Sequence, residues 1–298
     1  VSTVHRAIVL ARPPSTANHT ASETATPTFH PSNPEKPMTT NAQPILALAV
    51  GNTRTRFGIL RGEEVSDARS LPNASLESLA AEASSLAAAA GAGSAVIASV
   101  NTPIADQLES RLDLPEIYRL GRDLPIPLSH SLDDAATLGQ DRALNALAAY
   151  AKAKQACAVI DAGTAITIDF IDGEGTFHGG IIVPGLALML ASLHQHTHAL
   201  PKLEPANPDP ARGPFGKDTR HAMLLGVRNA AIGLARHTIE TFAEKYEAYP
   251  QIIATGGDAQ ALFARDELVE HIVPDLQLLG IAQVCRLALE HEADDESD

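Results

Sequence analysis

Residues 45–60 read ILALAVGNTRTRFGIL, and residues 157–171 read CAVIDAGTAITIDFI. No other feature restricts the possible folds of this chain as much as this duplication. Each copy is an apolar run that reads as a buried strand, a turn of small residues, and a returning strand with alternating apolar positions. Aligned on Gly51 and Gly163, the pair Asn52-Thr53 falls on Thr164-Ala165, and Ala49 falls on Asp161. A turn without bulky side chains lets backbone N–H groups approach an anion closely. The threonine hydroxyl adds a donor, and a carboxylate at the strand end can hold a cation. Either copy alone is equally an ordinary tight hairpin. Two of them far apart in the chain predict two related subdomains facing one nucleotide.

The chain has 298 residues, enough for about two domains. Apolar residues make up 45% and aromatics only 4%, so the core is expected from Ala, Leu, Ile and Val. A formal net charge of −14 argues against nucleic-acid and anionic-membrane partners. It leaves room for a small anion in a locally positive pocket. Cys157 and Cys285 lie in apolar segments and read as buried free thiols of a reducing, cytoplasmic protein. No run approaches the roughly 20 apolar residues of a membrane span.

Residues 1–43, rich in Pro, Ser, Thr and Asn, read as a disordered extension, and Met38 is the expected translation start. The first domain is expected over 44–154, the second over 155–290, and an acidic, solvated tail over 291–298. Helices are expected at 75–90, with Asn73 or Ser75 as cap, and at 104–112, with Asn101 or Thr102 as cap and Pro103 in the first turn. Strand 94–100 lies between them. Gly139 precedes an Ala-rich helix whose first turn holds Asp141 and Arg142. Asp141 reads either as a residue favoured by the helix dipole or as a general base; Arg142 reads as a surface charge or an anion contact. A glycine-rich strand leads to a helix near Leu186. His194, His196 and His198 lack the partners of a zinc site and read as a polar helix end. Thr219 opens a helix, as a cap or as a donor to a ligand. Strand 251–254 runs through Gly256-Gly257 into another helix, a plausible nucleotide contact.

The ordered series AVGNTRTRFG, GQDR, DAGTAIT, GGIIVPG, HALPKL, GKDT and ATGGDA resembles the type III pantothenate kinases, the family of the Bvg accessory factor homologues. That family belongs to the superfamily of acetate and sugar kinases, Hsp70 chaperones and actin. The resemblance implies an α/β fold of two ribonuclease-H-like (actin-like ATPase) domains with a nucleotide cleft between them. It implies ATP-dependent phosphorylation of pantothenate, the first step of coenzyme A synthesis, with Mg²⁺ and K⁺ or NH₄⁺, by a homodimer. The ATP phosphate loop then falls on Ala49, Val50, Gly51, Asn52, Thr53, Arg54, Thr55 and Arg56. Thr164, Gly256 and Gly257 are further ATP contacts. The catalytic base falls on Asp141, pantothenate contacts on Gly139, Gln140, Asp141, Arg142 and Thr219, and the monovalent cation on Asp161.

Three positions depart from the family pattern. Ala49 stands where the first loop normally carries Asp, and a rate penalty on the order of 10²–10³-fold is expected from losing that electrostatic stabiliser. Leu132 replaces a frequent aromatic substrate contact, and Asp218 replaces a usual Asn. A weakened homologue with a binding or regulatory role, or a kinase for another small hydroxyl acceptor, are the competing readings.

Overall fold

Strand β1 (Ile45–Val50) is buried along its whole length because it is central, with neighbours on both edges. β2 (Arg54–Arg61) pairs with it antiparallel, and β4 (Ser94–Ser99) pairs with it parallel. β3 (Glu64–Pro72) and β5 (Glu116–Arg119) form the two edges, giving the order β3-β2-β1-β4-β5. This computed structural model describes residues 43–295. The extension expected over 1–43, with a start at Met38, lies outside the described residues but for Gln43, as do 296–298.

Alternation along β1 divides its side chains between two layers. Leu46, Leu48 and Val50 pack with Phe57 against α1 (Leu76–Ala90) and α2 (Thr102–Glu109). The left-handed Gly91, at φ +72°, ends α1. Asn101 caps α2 by accepting from the Ile104 N–H, and Pro103 sits in its first turn. Ser75 occupies the N-cap position of α1 without a side-chain bond, because the helix is entered through a short 3₁₀ turn over Asn73–Ser75.

The second sheet repeats the first. β6 (Cys157–Ala162) is central, antiparallel to β7 (Ala165–Ile171) and parallel to β9 (Gln251–Thr255). β8 (Phe177–Pro184) and β10 (His271–Ile272) are the edges, in the order β10-β9-β6-β7-β8. Counted within each half, both sheets run third, second, first, fourth, fifth. The chain is therefore an α/β protein built twice on one mixed five-stranded plan, as the duplicated hairpin predicts. Ala158, Ile160 and Ala162 pack against α4 (Leu186–Gln195), α5 (Thr219–Tyr246) and α6 (Ala259–Phe263).

Helices α3 (Gln140–Ala153) and α7 (Leu276–Asp295) fill the layer on the remaining faces. Leu144, Leu278 and Ile281 pack on Ala47, Ala49 and Leu60 of the first sheet. Ala146, Ala149 and Leu276 pack on Val159, Ile171 and Phe177 of the second. The helices cross closely at Gly280, where a Cβ would stand 2.4 Å from the Leu144 carbonyl oxygen. α7 continues past the expected end at Glu290. Among the described residues no helix is long and apolar enough to cross a membrane.

Candidate active site

The two small-residue turns meet. The Thr53 and Thr164 hydroxyls lie 2.9 Å apart, one from each half of the chain. Their turns differ in length. Gly51 N–H bonds the Arg54 carbonyl, whereas Gly163 N–H bonds the Ala165 carbonyl, so the first turn carries one more residue. Counted back from the returning strand, Thr53 and not Asn52 is the counterpart of Thr164.

Asn73 braces the first turn. Its Nδ2 donates to the Gly51 carbonyl, its Oδ1 accepts from the Thr55 hydroxyl, and its N–H bonds the Thr53 carbonyl. In sequence Asn73 reads only as a helix cap, and nothing local signals a contact with a turn so far upstream. Within the loop, Asn52 and Thr53 are exposed. Val50 and Ala49 are buried, Thr55 serves Asn73, and Arg54 binds the side chain and carbonyl of Ser70. Arg56 pairs with Asp275 at 2.5 Å.

The start of α3 faces the strand end of β6. Gly139 is the N-cap, and a Cβ there would lie 2.5 Å from Asp141 Oδ1, so only glycine lets that carboxylate fold back over the helix start. Asp141 Oδ1 accepts the Arg142 N–H at 2.8 Å. Burial raises its proton affinity above the ordinary carboxylate range, and these contacts with Arg142 oppose that only in part. Asp161 Oδ2 accepts from Asn145 of α3 (2.9 Å) and Gln277 of α7 (3.2 Å). Its pKa is pushed up to about 6, first by burial, with the Asp141 and Asp169 charges adding. Asn145 Oδ1 is buried without a hydrogen-bond partner among the described residues.

Gly256, at φ +93°, closes against this strand end: a Cβ would meet the Ala162 carbonyl at 2.4 Å and Asp161 Oδ1 at 2.5 Å. Gly257 follows it into α6. Gln140 spends both ends of its amide on the backbone, accepting from Ser99 N–H and donating to the Leu120 carbonyl. Arg142 is neither a surface charge nor a free fork, because it pairs with Asp169. Thr219 stands exposed in the first turn of α5, with no hydrogen bond to this group of acids among the described residues. Asp218 caps α5 by accepting from His221 N–H and pairs with Arg212 at 2.8 Å, which hold its carboxyl below the usual range. Leu132 packs in the Phe177 cluster. α4 ends at Gln195, so His196 and His198 lie beyond it, and His194 Nδ1 donates to the Leu200 carbonyl.

Residues 45–241 match the profile of the type III pantothenate kinase family. A type III pantothenate kinase of Akkermansia muciniphila is 34% identical over 188 residues, 63% of this chain and 76% of that one. That of Fervidobacterium nodosum is 39% identical over 145 residues, 48% of this chain and 55% of that one. The chain thus spans little more than half the length of some curated relatives it matches. A solved structure from Campylobacter jejuni, assigned to a Baf family of transcriptional activators, aligns with TM-score 0.53 at 20% identity. The alignment covers 81% of this chain and 98% of that one, and shows a shared fold.

Proposed function

We propose that this chain, which belongs to the type III pantothenate kinase family, transfers the γ-phosphate of ATP to the primary hydroxyl of pantothenate. The observation that carries the proposal is the 2.9 Å approach of Thr53 to Thr164. It brings the two small-residue turns to one place, as a triphosphate held from both halves requires.

Asp141 is the base in this reading. An alcohol of high pKa must lose its proton as it attacks, and a carboxylate of raised proton affinity, in no ion pair among the described residues, suits that transfer. Gly256 and Gly257 lie on the adenosine side, beside a cavity of about 200 Å³ bounded by Leu186, Val227, Asp258 and Ala261. The donor set at Asp161 fits a monovalent cation: a carboxylate with one oxygen engaged, next to the unpartnered amide oxygen of Asn145. K⁺ or NH₄⁺ held there would offset phosphate charge. Ala49 offers no side-chain oxygen, so Mg²⁺ would rest on the phosphates, water and the hydroxyls of Thr53 and Thr164, whose hard oxygens suit it. A homodimer belongs to this reading through the family resemblance, and exposed apolar side chains of the second half, Ile182 at 62%, Leu188 at 47% and Phe215 at 73%, are available for it to cover. A cytoplasmic location accords with two buried free thiols.

A coupled assay with ATP, Mg²⁺, K⁺ and pantothenate tests the activity. Turnover is expected, and Asp141→Asn is expected to lower kcat on the order of 10²–10⁴-fold with little change in the KM for ATP. Absence of turnover with nucleotide binding intact favours the second reading, a weakened relative that binds without catalysing, which Ala49 motivates. Turnover with another alcohol alone would reassign the acceptor.

A further inference from the structure

Asp169 has no part in the scheme above, yet three elements are built around it. It sits mid-way along β7 and is 2% exposed, where an unpaired carboxylate would be costly. Arg142 meets it side-on: Nε lies 3.1 and 3.2 Å from the two carboxylate oxygens, and Nη2 bonds Oδ1. The same guanidinium lies over the Phe177 ring of β8, 5.6 Å from its centroid. Directly across the ladder from Asp169 is Gly180. A Cβ at Gly180 would stand 2.6 Å from Asp169 Oδ1 and 1.9 Å from the Ile168 carbonyl oxygen, so glycine makes the room this carboxylate occupies. α3, β7 and β8 thus converge on one arginine, the residue after Asp141.

We propose that Asp169 is a positioning residue: by taking the forked edge of Arg142, it keeps that guanidinium off Asp141 and leaves Nη1 as the donor for an anionic group of the acceptor substrate. This rests on the kinase reading of the same site. Among the described residues Nη1 has no hydrogen-bond partner, and Asp141 is in no ion pair. With its side-on edge, Nε and Nη2, given to Asp169, Arg142 can meet the substrate only end-on, through Nη1 and the remaining hydrogen of Nη2. Without Asp169, Asp141 is an adjacent carboxylate to which Arg142 can turn. The base and the anion contact would then neutralise each other.

The test is Asp169→Asn in the full chain, read by steady-state kinetics and by calorimetric titration with pantothenate and, separately, with ADP. The expected result is a tenfold to hundredfold weaker pantothenate KM and Kd, about the loss of one charge-assisted contact, together with a lower kcat. ADP affinity should stay within about twofold. In an Arg142→Lys background the same change should weaken pantothenate by much less, because the two residues act as a unit. Unchanged pantothenate binding overturns the proposal, and so does equal weakening of both ligands, which marks general loosening. If Asp169→Asn does not fold, Arg142→Gln/Asp169→Asn removes the stranded charge; pantothenate binding tighter than that of Arg142→Gln alone overturns the proposal, and equal binding supports it. If the native chain binds pantothenate but turns nothing over, the kinase reading fails and the titrations still decide the role of Asp169.

Discussion

Ala49 shows what one residue can reveal and what it hides. Its counterpart in the second hairpin, Asp161, is gripped by Asn145 and Gln277. Ala49 is 3% exposed, packs under α7, and stands opposite Arg56 in the ladder. Directly opposed side chains share a face, so an aspartate at 49 would neighbour Arg56, which now pairs with Asp275. Ala49→Asp should therefore draw Arg56 partly from Asp275 and place a carboxylate at the mouth of the phosphate turn. Turnover at saturating Mg²⁺ is expected to rise on the order of 10²-fold, measured in the same assay; an unchanged rate would mean that charge at this strand end does not limit the reaction. The missing carboxylate was visible in the sequence. The Arg56–Asp275 pair was not, because no local pattern joins residues so far apart. Asp169 escaped for the same reason: in ITIDFI it reads as one alternating strand position.

At the scale of elements, the central strands were legible because burial on both faces demands apolar runs, as in ILALAV and CAVIDA. β3 and β5 were not. EVSDARSLP is polar and lies on an edge, and EIYR is only four residues long. The repeat aligned the first strands of the two hairpins but left the turns and the returning strands one residue out of register, since the extra residue of the first turn shows only in the Gly51–Arg54 bond and in the pairing of Ala49 with Arg56 against Asp161 with Thr167. Helix crossings were equally hidden. Gly280 reads as a weak point in α7, where alanine normally gains about 1 kcal/mol. The contact at Leu144 reverses that sign: the 2.4 Å approach leaves no space for a methyl group. Gly280→Ala is expected to cost about 1–3 kcal/mol, read as a lower urea midpoint with unchanged slope. A raised midpoint would show that α3 and α7 can part without penalty.

For the molecule as a whole, the duplicated hairpin announced two similar halves, and both sheets follow one strand order. What sequence order concealed is that the last helix returns to the first sheet while its first turn stays on the second, so that α3 and α7 both pack on both. A shared layer couples the halves, since neither sheet can keep its inner face dry once α3 and α7 separate. The two cysteines report on this independently. Cys285 lies in the cluster against the first sheet and Cys157 in the cluster against the second. Burial pushes both thiols up to about 12, so at pH 8 the native thiolate fraction is on the order of 10⁻⁴, against roughly a quarter for an unfolded thiol. Neither should react with a thiol reagent in the native protein. In urea, Cys157→Ala and Cys285→Ala variants, each with one thiol left, should gain reactivity at midpoints separated only by the small cost of each substitution. Reaction of Cys285 well below the urea concentration that exposes Cys157 would mean that the first sheet opens alone. The common helical layer would then be a seam between two independent units, not the element that binds them into one cooperative fold.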